Sequence, residues 1–300
     1  MELIESADEA RRFVAERTRS GKTVGLIPTM GALHRGHLSL VEASNRCCDF
    51  SVATIFVNPT QFAPGEDLAK YPRTMEADLD ALRATGTDAV FCPTVDEVYP
   101  PGFSTSVKPP KIAERWEGEF RPEHFEGVAT VVLKLFQMLP GTHAFFGQKD
   151  YQQLRVIQTM VTDLNVSIEV VPCEIVREQD GLAMSSRNRY LDDEERSRSL
   201  RLSAALESAH DALRAGETDT SKVRQILHQQ LLPGLSGGTF PRVDSIDYAE
   251  VVDAVTLEPI SVVDRPVVCL IACYVGKTRL IDNLIWDPPP LHSLPESQAS

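Results

Sequence analysis

No two cysteines in this 300-residue chain stand in a C-x-x-C spacing, although six are present, at 47, 48, 92, 173, 269 and 273. That excludes a zinc ribbon and a thioredoxin-type redox motif. No run of about 20 apolar residues occurs, so no membrane span is expected. Met1 is followed by Glu2-Leu3-Ile4-Glu5 rather than by a basic segment and an apolar stretch, so no signal peptide is expected. A cytoplasmic protein with reduced thiols is the resulting expectation. Positive charge is also scarce: 30 Lys and Arg face 43 Asp and Glu, for a net charge of −13. Binding a nucleic acid requires a basic footprint, so that class is disfavoured, whereas a small phosphorylated ligand needs only local positive charge.

The familiar phosphate loops are missing as well. Gly21-Lys22-Thr23 and Gly276-Lys277-Thr278 both end like a Walker loop, but positions 16 and 271, where its first glycine belongs, hold Glu and Ile. No G-x-G-x-x-G is present, so an ordinary dinucleotide dehydrogenase is also a poor reading.

What the chain does have is a core and a rhythm. Hydrophobic residues are 42% of the sequence, which excludes global disorder. Between residues 23 and 171, short apolar runs alternate with amphipathic stretches. The runs are Val24–Ile27 before Pro28, Ser51–Val57, Ala89–Phe91, Ala144–Phe146 before Gly147, and Val166–Val171 before Pro172. Val128, Val131, Val132, Leu135, Phe136 and Leu139 form a helical stripe, as do Met75, Leu79 and Leu82 behind a candidate Thr74 cap. The alternation predicts an α/β fold, a Rossmann-like parallel sheet with helices on both faces. Asp192-x-x-Glu195 reads as a capping box opening a long helix with Leu202, Ala205, Leu206, Ala209 and Leu213 on one face. A second helix over 221–231, a loop at 234–238 and two strand-like runs, 246–252 and 267–275, complete a smaller α+β domain. The expected boundaries are a catalytic domain over 1–187, the smaller domain over 188–286 and a flexible tail over 287–300.

Four segments carry polar chemistry at predicted strand ends or near the domain boundary. Pro28 to Leu38 (PTMGALHRGHL) joins the first predicted strand to a helix. Gly31 and Gly36 allow close backbone approach, the helix start favours an anion, and His34 and His37, three apart, can face one phosphate group. A capped helix with two surface histidines is the plain alternative. Asp180 to Asn188 (DGLAMSSRN) offers hydroxyls and a guanidinium suited to phosphate oxygens, or forms a polar inter-domain loop. Gly147-Gln148-Lys149-Asp150 and Asn58-Pro59-Thr60-Gln61-Phe62 also follow predicted strands, and each could be an ordinary turn.

Together these segments resemble a known family. His34-x-Gly36-His37 is similar to the HIGH motif of nucleotidyltransferases and class I aminoacyl-tRNA synthetases, and Met184-Ser185-Ser186-Arg187 to their KMSKS-type loop. The ordered set PTMGALHRGH, NPTQF, YPRT (71–74), RPEHFEGV (121–128), GQKDYQQ and DGLAMSSRNRYL resembles the pantoate–β-alanine ligases more closely, over residues 3–285. The resemblance implies that ATP and pantoate form pantoyl adenylate and pyrophosphate, and that β-alanine then displaces AMP to give pantothenate.

It implies ATP contacts at Met30, Gly31, Ala32, Leu33, His34, Arg35, Gly36 and His37, at Gly147, Gln148, Lys149 and Asp150, and at Val176, Met184, Ser185, Ser186 and Arg187. His37 falls on the family's catalytic histidine, with His34, Lys149, Ser185 and Arg187 beside it. Gln61 and Gln153 fall on pantoate contacts, and Gln61 also on β-alanine. Mg2+ would ride mainly on the nucleotide phosphates, with Asp78 at an acidic position associated with it. The family also implies a homodimer. Arg35 and Gln148 depart from the family, which usually has an acidic residue at each place. Attack of one anion on another requires alignment and positive charge, which His37, Lys149 and Arg187 are expected to supply. The smaller domain is expected to close as a lid over the adenylate. Another HIGH-motif nucleotidyltransferase and a catalytically dead nucleotide binder are the competing readings.

Overall fold

The computed structural model describes residues 1–63, 65–232 and 242–288. The expected loop at 234–238, and the expected tail from 289 onward, lie outside the described residues. The chain divides into two compact units, Met1–Leu191 and Asp192–Ser300.

The first unit holds six strands: β1 (Glu2–Ile4), β2 (Val24–Thr29), β3 (Phe50–Ile55), β4 (Ala89–Phe91), β5 (His143–Gly147) and β6 (Glu169–Cys173). Its helices are α1 (Ala7–Arg19), α2 (Arg35–Cys47), α3 (Met75–Ala84), α4 (Val95–Val98), α5 (Glu117–Phe120), α6 (His124–Met138) and α7 (Tyr151–Asp163). The strands form one parallel sheet in the order β1-β4-β3-β2-β5-β6. The predicted α/β class is therefore the observed one.

Strand alternation sorts the side chains. Leu26, Val52, Phe91, Ala144 and Phe146 join one core with α1, α6 and α7, while Ile27, Ala53, Val90 and Phe145 join another with α2 and α3. The order reverses at β2, whose successors build outward on one side while β5 and β6 occupy the other. The carboxyl ends of β2 and β5 therefore flank a topological switch point, the place where such sheets bind ligands.

Pro28 and Pro172, two of the prolines expected to end strands, lie inside them. β2 runs through Pro28 to Thr29, because its ladder to β5 stops at Leu26↔Ala144 and no partner there requires the missing N–H. Pro172 sits in β6, an edge strand, where a lost donor is tolerated. β1 and α1 precede the stretch where sequence reading places the alternation. α1 is held by Ser6, whose hydroxyl accepts the Glu9 N–H at 3.2 Å, and by buried Ala10, Phe13 and Val14.

The two Walker-like endings are turns. Gly21 closes α1 with φ 78°, its N–H donating to the Thr18 carbonyl. Gly276, φ 58°, and Lys277 form the tight turn of a hairpin in the second unit. That unit contains α8 (Asp193–Arg214), α9 (Thr220–Leu231) and an antiparallel sheet of β7 (Ser245–Asp253), β8 (Val267–Val275) and β9 (Thr278–Trp286). The capping box is complete: Asp192 accepts the Glu195 N–H at 2.8 Å and Glu195 accepts the Asp192 N–H at 3.1 Å. Sequence reading expects two strands here and misses β9, because buried Asp282 and Asn283 interrupt its apolar run. No helix among the described residues is long and apolar enough to cross a membrane.

Candidate active site

The loop after β2 leaves the sheet through two left-handed residues, Gly31 at φ 80° and Ala32 at φ 51°. Alanine rarely adopts that conformation, so something must hold it. Asp78, on α3, does so. Its buried carboxylate accepts the Ala32 N–H at 2.9 Å, the Leu33 N–H at 2.8 Å and the Thr74 hydroxyl at 3.1 Å. Thr74 is therefore not the expected side-chain cap of α3: its hydroxyl is turned to Asp78 instead.

α2 then begins with a capping box built from histidines. His34 Nδ1 accepts the Gly36 N–H at 3.2 Å, and His37 Nδ1 accepts the His34 N–H at 3.3 Å. The rings lie 4.0 Å apart, tilted by 35°. An accepting Nδ1 on a neutral ring puts the proton on Nε2, so Nε2–H is the donor each imidazole can offer. Burial, followed by the Lys149 charge, pushes His34 down to about 4. Burial, the His34 ring and Lys149 push His37 down to about 3. The expectation that His37 supplies positive charge is thus corrected: at neutral pH it is an uncharged hydrogen-bond donor. The helix N–H groups are likewise not all open to an anion, since those of Gly36, His37 and Leu38 are bonded to His34. A neutral cap satisfies these groups without cancelling the positive end of the helix dipole. Arg35 is exposed and turned along α2, with both arms on Glu42, one at 3.1 Å.

Lys149 follows β5 in the short 3-10 turn Gln148–Asp150, its Nζ 3.9 Å from the Asp150 carboxylate. The segment after β6 folds back as a narrow hairpin. The Met184 N–H donates to the Val176 carbonyl at 2.9 Å, and the Glu178 N–H to the Leu182 carbonyl at 2.8 Å. Gly181 takes the turn at φ 92°. Ser185 caps the 3-10 helix Ser186–Tyr190, its oxygen accepting the Arg187 N–H at 3.3 Å, which leaves its own O–H to donate. Asn188 ties the helix to the hairpin through Glu178 at 2.7 Å and the Ala183 carbonyl at 3.0 Å. A Cβ on Gly36 would sit 3.0 Å from the His34 ring and 3.7 Å from Met184 Cβ, so this hairpin lies against the histidine loop. Arg189, which sequence reading did not single out, acts electrostatically on His34. The available signal was the second arginine of Arg187-Asn188-Arg189.

Gln61 comes from the opposite side. Asn58 builds an Asx turn, accepting the Thr60 N–H at 3.3 Å, and its amide donates to Gln61 Oε1 at 3.1 Å. Gln61 Nε2 donates to Met30 Sδ at 3.2 Å, joining the NPTQF turn to the histidine loop. Thioether sulfur is a weak acceptor, readily exchanged for a substrate oxygen. The two adjacent glutamines of α7 differ. Gln152 is buried and braces the preceding segment, accepting from Glu117 N at 3.0 Å and donating to the carbonyls of Ile112 and Arg115 at 2.9 and 2.8 Å. Gln153 is half-buried and takes no part in those bonds.

All these residues lie in the first unit. Among the described residues no group of three or more His, Cys, Asp or Glu could hold a metal ion. Asp78, the sequence-based metal candidate, has both carboxylate oxygens engaged by donors.

Comparison with known proteins gives one consistent result. A family model described as Pantoate-beta-alanine ligase matches residues 2–285. A pantothenate synthetase from Rhodopirellula baltica is 54% identical over 286 residues, covering 94% of this chain and 98% of that relative. The solved pantothenate synthetase from Thermus thermophilus superposes with a TM-score of 0.87 at 41% identity, over 95% of this chain and 99% of that one. A pantoate–β-alanine ligase from Francisella tularensis, solved in complex with beta-gamma ATP and β-alanine, has a TM-score of 0.72 at 28% identity, over 95% and 97%.

Proposed function

Because the chain belongs to the pantoate–β-alanine ligase family, we propose that its switch-point site joins pantoate to β-alanine through a pantoyl adenylate. The activity is ATP-dependent ligation of the two acids. In the first step a pantoate carboxylate oxygen attacks the α-phosphorus of ATP. An O–P bond forms, the bond to the β-phosphate oxygen breaks and pyrophosphate leaves. In the second step the β-alanine amine attacks the acyl carbon. The C–N bond forms, the C–O bond to AMP breaks, and the amine gives up its proton.

The observation that carries this reading is the neutral His34–His37 pair beside Lys149, with Gln61 hydrogen-bonded to Met30 on the same loop. Lys149 and Arg187 supply charge to the phosphate oxygens. His34 and His37 donate from Nε2, and Ser185 from its hydroxyl. Fixed donors aimed at developing charge, rather than bond-making groups, are what phosphoryl displacement requires. Met30 to His37, Gly147 to Asp150, Val176 and Met184 to Arg187 form the nucleotide site. Gln61 and Gln153 hold the pantoate hydroxyls and carboxylate, and Gln61 also meets β-alanine. Mg2+ enters on the nucleotide and supplies charge neutralisation. Among the described residues the side chains form no separate metal cage, and Asp78 acts as a brace.

A cytoplasmic setting fits the six free cysteines and the ATP requirement. The family resemblance extends the reading to a homodimer, testable by sedimentation, and to closure of the second unit over the adenylate, testable by scattering with and without the intermediate. The central experiment measures pyrophosphate and AMP from purified protein with Mg-ATP and pantoate. Pyrophosphate without β-alanine, and AMP released to solution only on its addition, is the expected result. Folded, ATP-binding protein that yields no pyrophosphate under either condition overturns the proposal.

A further inference from the structure

The segment Arg121–Val128 belongs to the sequence pattern, yet the chemistry above gives it no task. Its geometry is specific. The Gln61 carbonyl accepts two donors from this segment, His124 Nδ1 at 2.9 Å and Arg121 Nη2 at 3.3 Å. Arg121 is held in turn on both sides. Nε and Nη2 bond the two Glu66 oxygens at 2.9 and 2.8 Å, and Nη1 bonds Glu117 at 3.1 Å. Arg121 Nη1 also lies 3.3 Å from His124 Nε2. These contacts determine the tautomer of His124 from two directions. Nδ1 must carry the proton to meet a carbonyl, and Nε2 must be bare to meet a guanidinium N–H. A protonated ring would set a second cation against Arg121; burial and that charge press His124 down to about 4.

Two further features place the ring there. Glu123, just before α6, has φ 71°, a left-handed conformation that a non-glycine residue keeps only when its surroundings demand it. One turn later, a Cβ on Gly127 would lie 2.4 Å from the Thr60 carbonyl oxygen, and the Gly127 carbonyl accepts the Asn58 amide at 3.2 Å. The first turn of α6 and the NPTQF turn are therefore in backbone contact.

We propose that His124, seated by Arg121, is a positioning residue for the ligation. Its Nδ1–H locates the Gln61 main chain, and so sets where the Gln61 amide meets pantoate and β-alanine. The inference rests on the substrate role of Gln61 proposed above. It differs from a substrate contact, since His124 acts on a carbonyl of the protein.

The test compares His124→Leu, which removes the donor, with His124→Asn, whose amide nitrogen can occupy the Nδ1 place. Thermal unfolding first checks that both variants fold. His124→Leu is expected to raise KM for pantoate and β-alanine about tenfold, the scale of one lost buried hydrogen bond, and to leave KM for ATP unchanged. His124→Asn is expected to recover most of that loss. In a Gln61→Ala background, His124→Leu should add little further, because both changes act through one side chain. Equal effects of His124→Leu in the two backgrounds, or a rise in KM for ATP as large as that for pantoate, would overturn the positioning role alone. Should His124→Leu fail to fold, the Asn variant decides: an unchanged crystallographic Gln61 turn with a tenfold loss refutes the proposal, and near-native kinetics support it. If Gln61→Ala itself leaves KM for both acids unchanged, the substrate role of Gln61 fails and this inference falls with it.

Discussion

His34 and His37 cap each other: each Nδ1 accepts a backbone N–H of the same turn, and the two rings lie 4.0 Å apart. The consequence is electrical. Neither ring can take a proton at Nδ1 without breaking a cap, and each is further disfavoured as a cation by burial and by Lys149.

That arrangement makes stability depend on pH in a defined window. Unfolded, a histidine binds its proton near pH 6.5. Folded, His34 and His124 do so at about 4 and His37 at about 3. The unfolded state therefore binds more protons between roughly pH 6.5 and 4, and stability falls as pH drops through that range. Urea midpoints at pH 7, 6 and 5 should decline in order, with a shallower slope in His37→Gln. A midpoint that is flat from pH 7 to 5 contradicts the neutral state of these rings.

Removing a donor from the phosphate site should slow chemistry rather than unfold the protein. His37→Ala and Lys149→Ala are each expected to lower the rate of pyrophosphate release by about 10²–10³-fold, the scale of losing one strong transition-state donor. Single-turnover release from ATP and pantoate reads this directly. Wild-type rates in either variant would remove that residue from the mechanism.

Asp78 should behave as a brace and not as a metal ligand. Its carboxylate bonds two backbone N–H groups of the loop, and each such group left unpaired costs about 1–3 kcal/mol. Asp78→Ala should therefore lose at least ~2 kcal/mol of stability and weaken ATP binding, as judged by urea unfolding and calorimetry. Its Mg2+ requirement at saturating Mg-ATP should match that of the wild type. A selective rise in the Mg2+ requirement would restore the metal role.

Two glycines offer a matched contrast. Gly127→Ala would drive a methyl to 2.4 Å from the Thr60 carbonyl, between two backbones that cannot both yield. A loss of about 1–3 kcal/mol is expected, together with a higher KM for pantoate. At Gly147, φ is −72° and nothing lies within 4 Å of an added Cβ. Gly147→Ala should therefore leave the unfolding midpoint nearly unchanged while raising KM for ATP, because the proposed nucleotide site includes that backbone. Unchanged ATP affinity would place Gly147 outside the site.

Much of the fold was legible because its signals are local. β8 coincides with its apolar run, and the Asp192–Glu195 box closes over three residues. β9 was not legible, since Asp282 and Asn283 break its apolar run and are buried nonetheless. The candidate site divides in the same way. His34, His37, Lys149 and Gln61 stand in motifs at strand ends. The task of Asp78, the inward turn of Thr74 and the grip of His124 on Gln61 left no local mark.

By itself the sequence determined most of the element types, the parallel sheet and the motifs at its carboxyl edge. Those follow from periodicity, capping and turn chemistry acting over a few residues. The tertiary structure alone decided that the histidines are neutral, that Asp78 braces a loop 46 residues away, and that the Gln61 carbonyl is held by a ring 63 residues further on. Protonation depends on burial and neighbouring charge, and buried N–H and carbonyl groups find partners wherever folding brings them, so these choices exist only once distant segments meet.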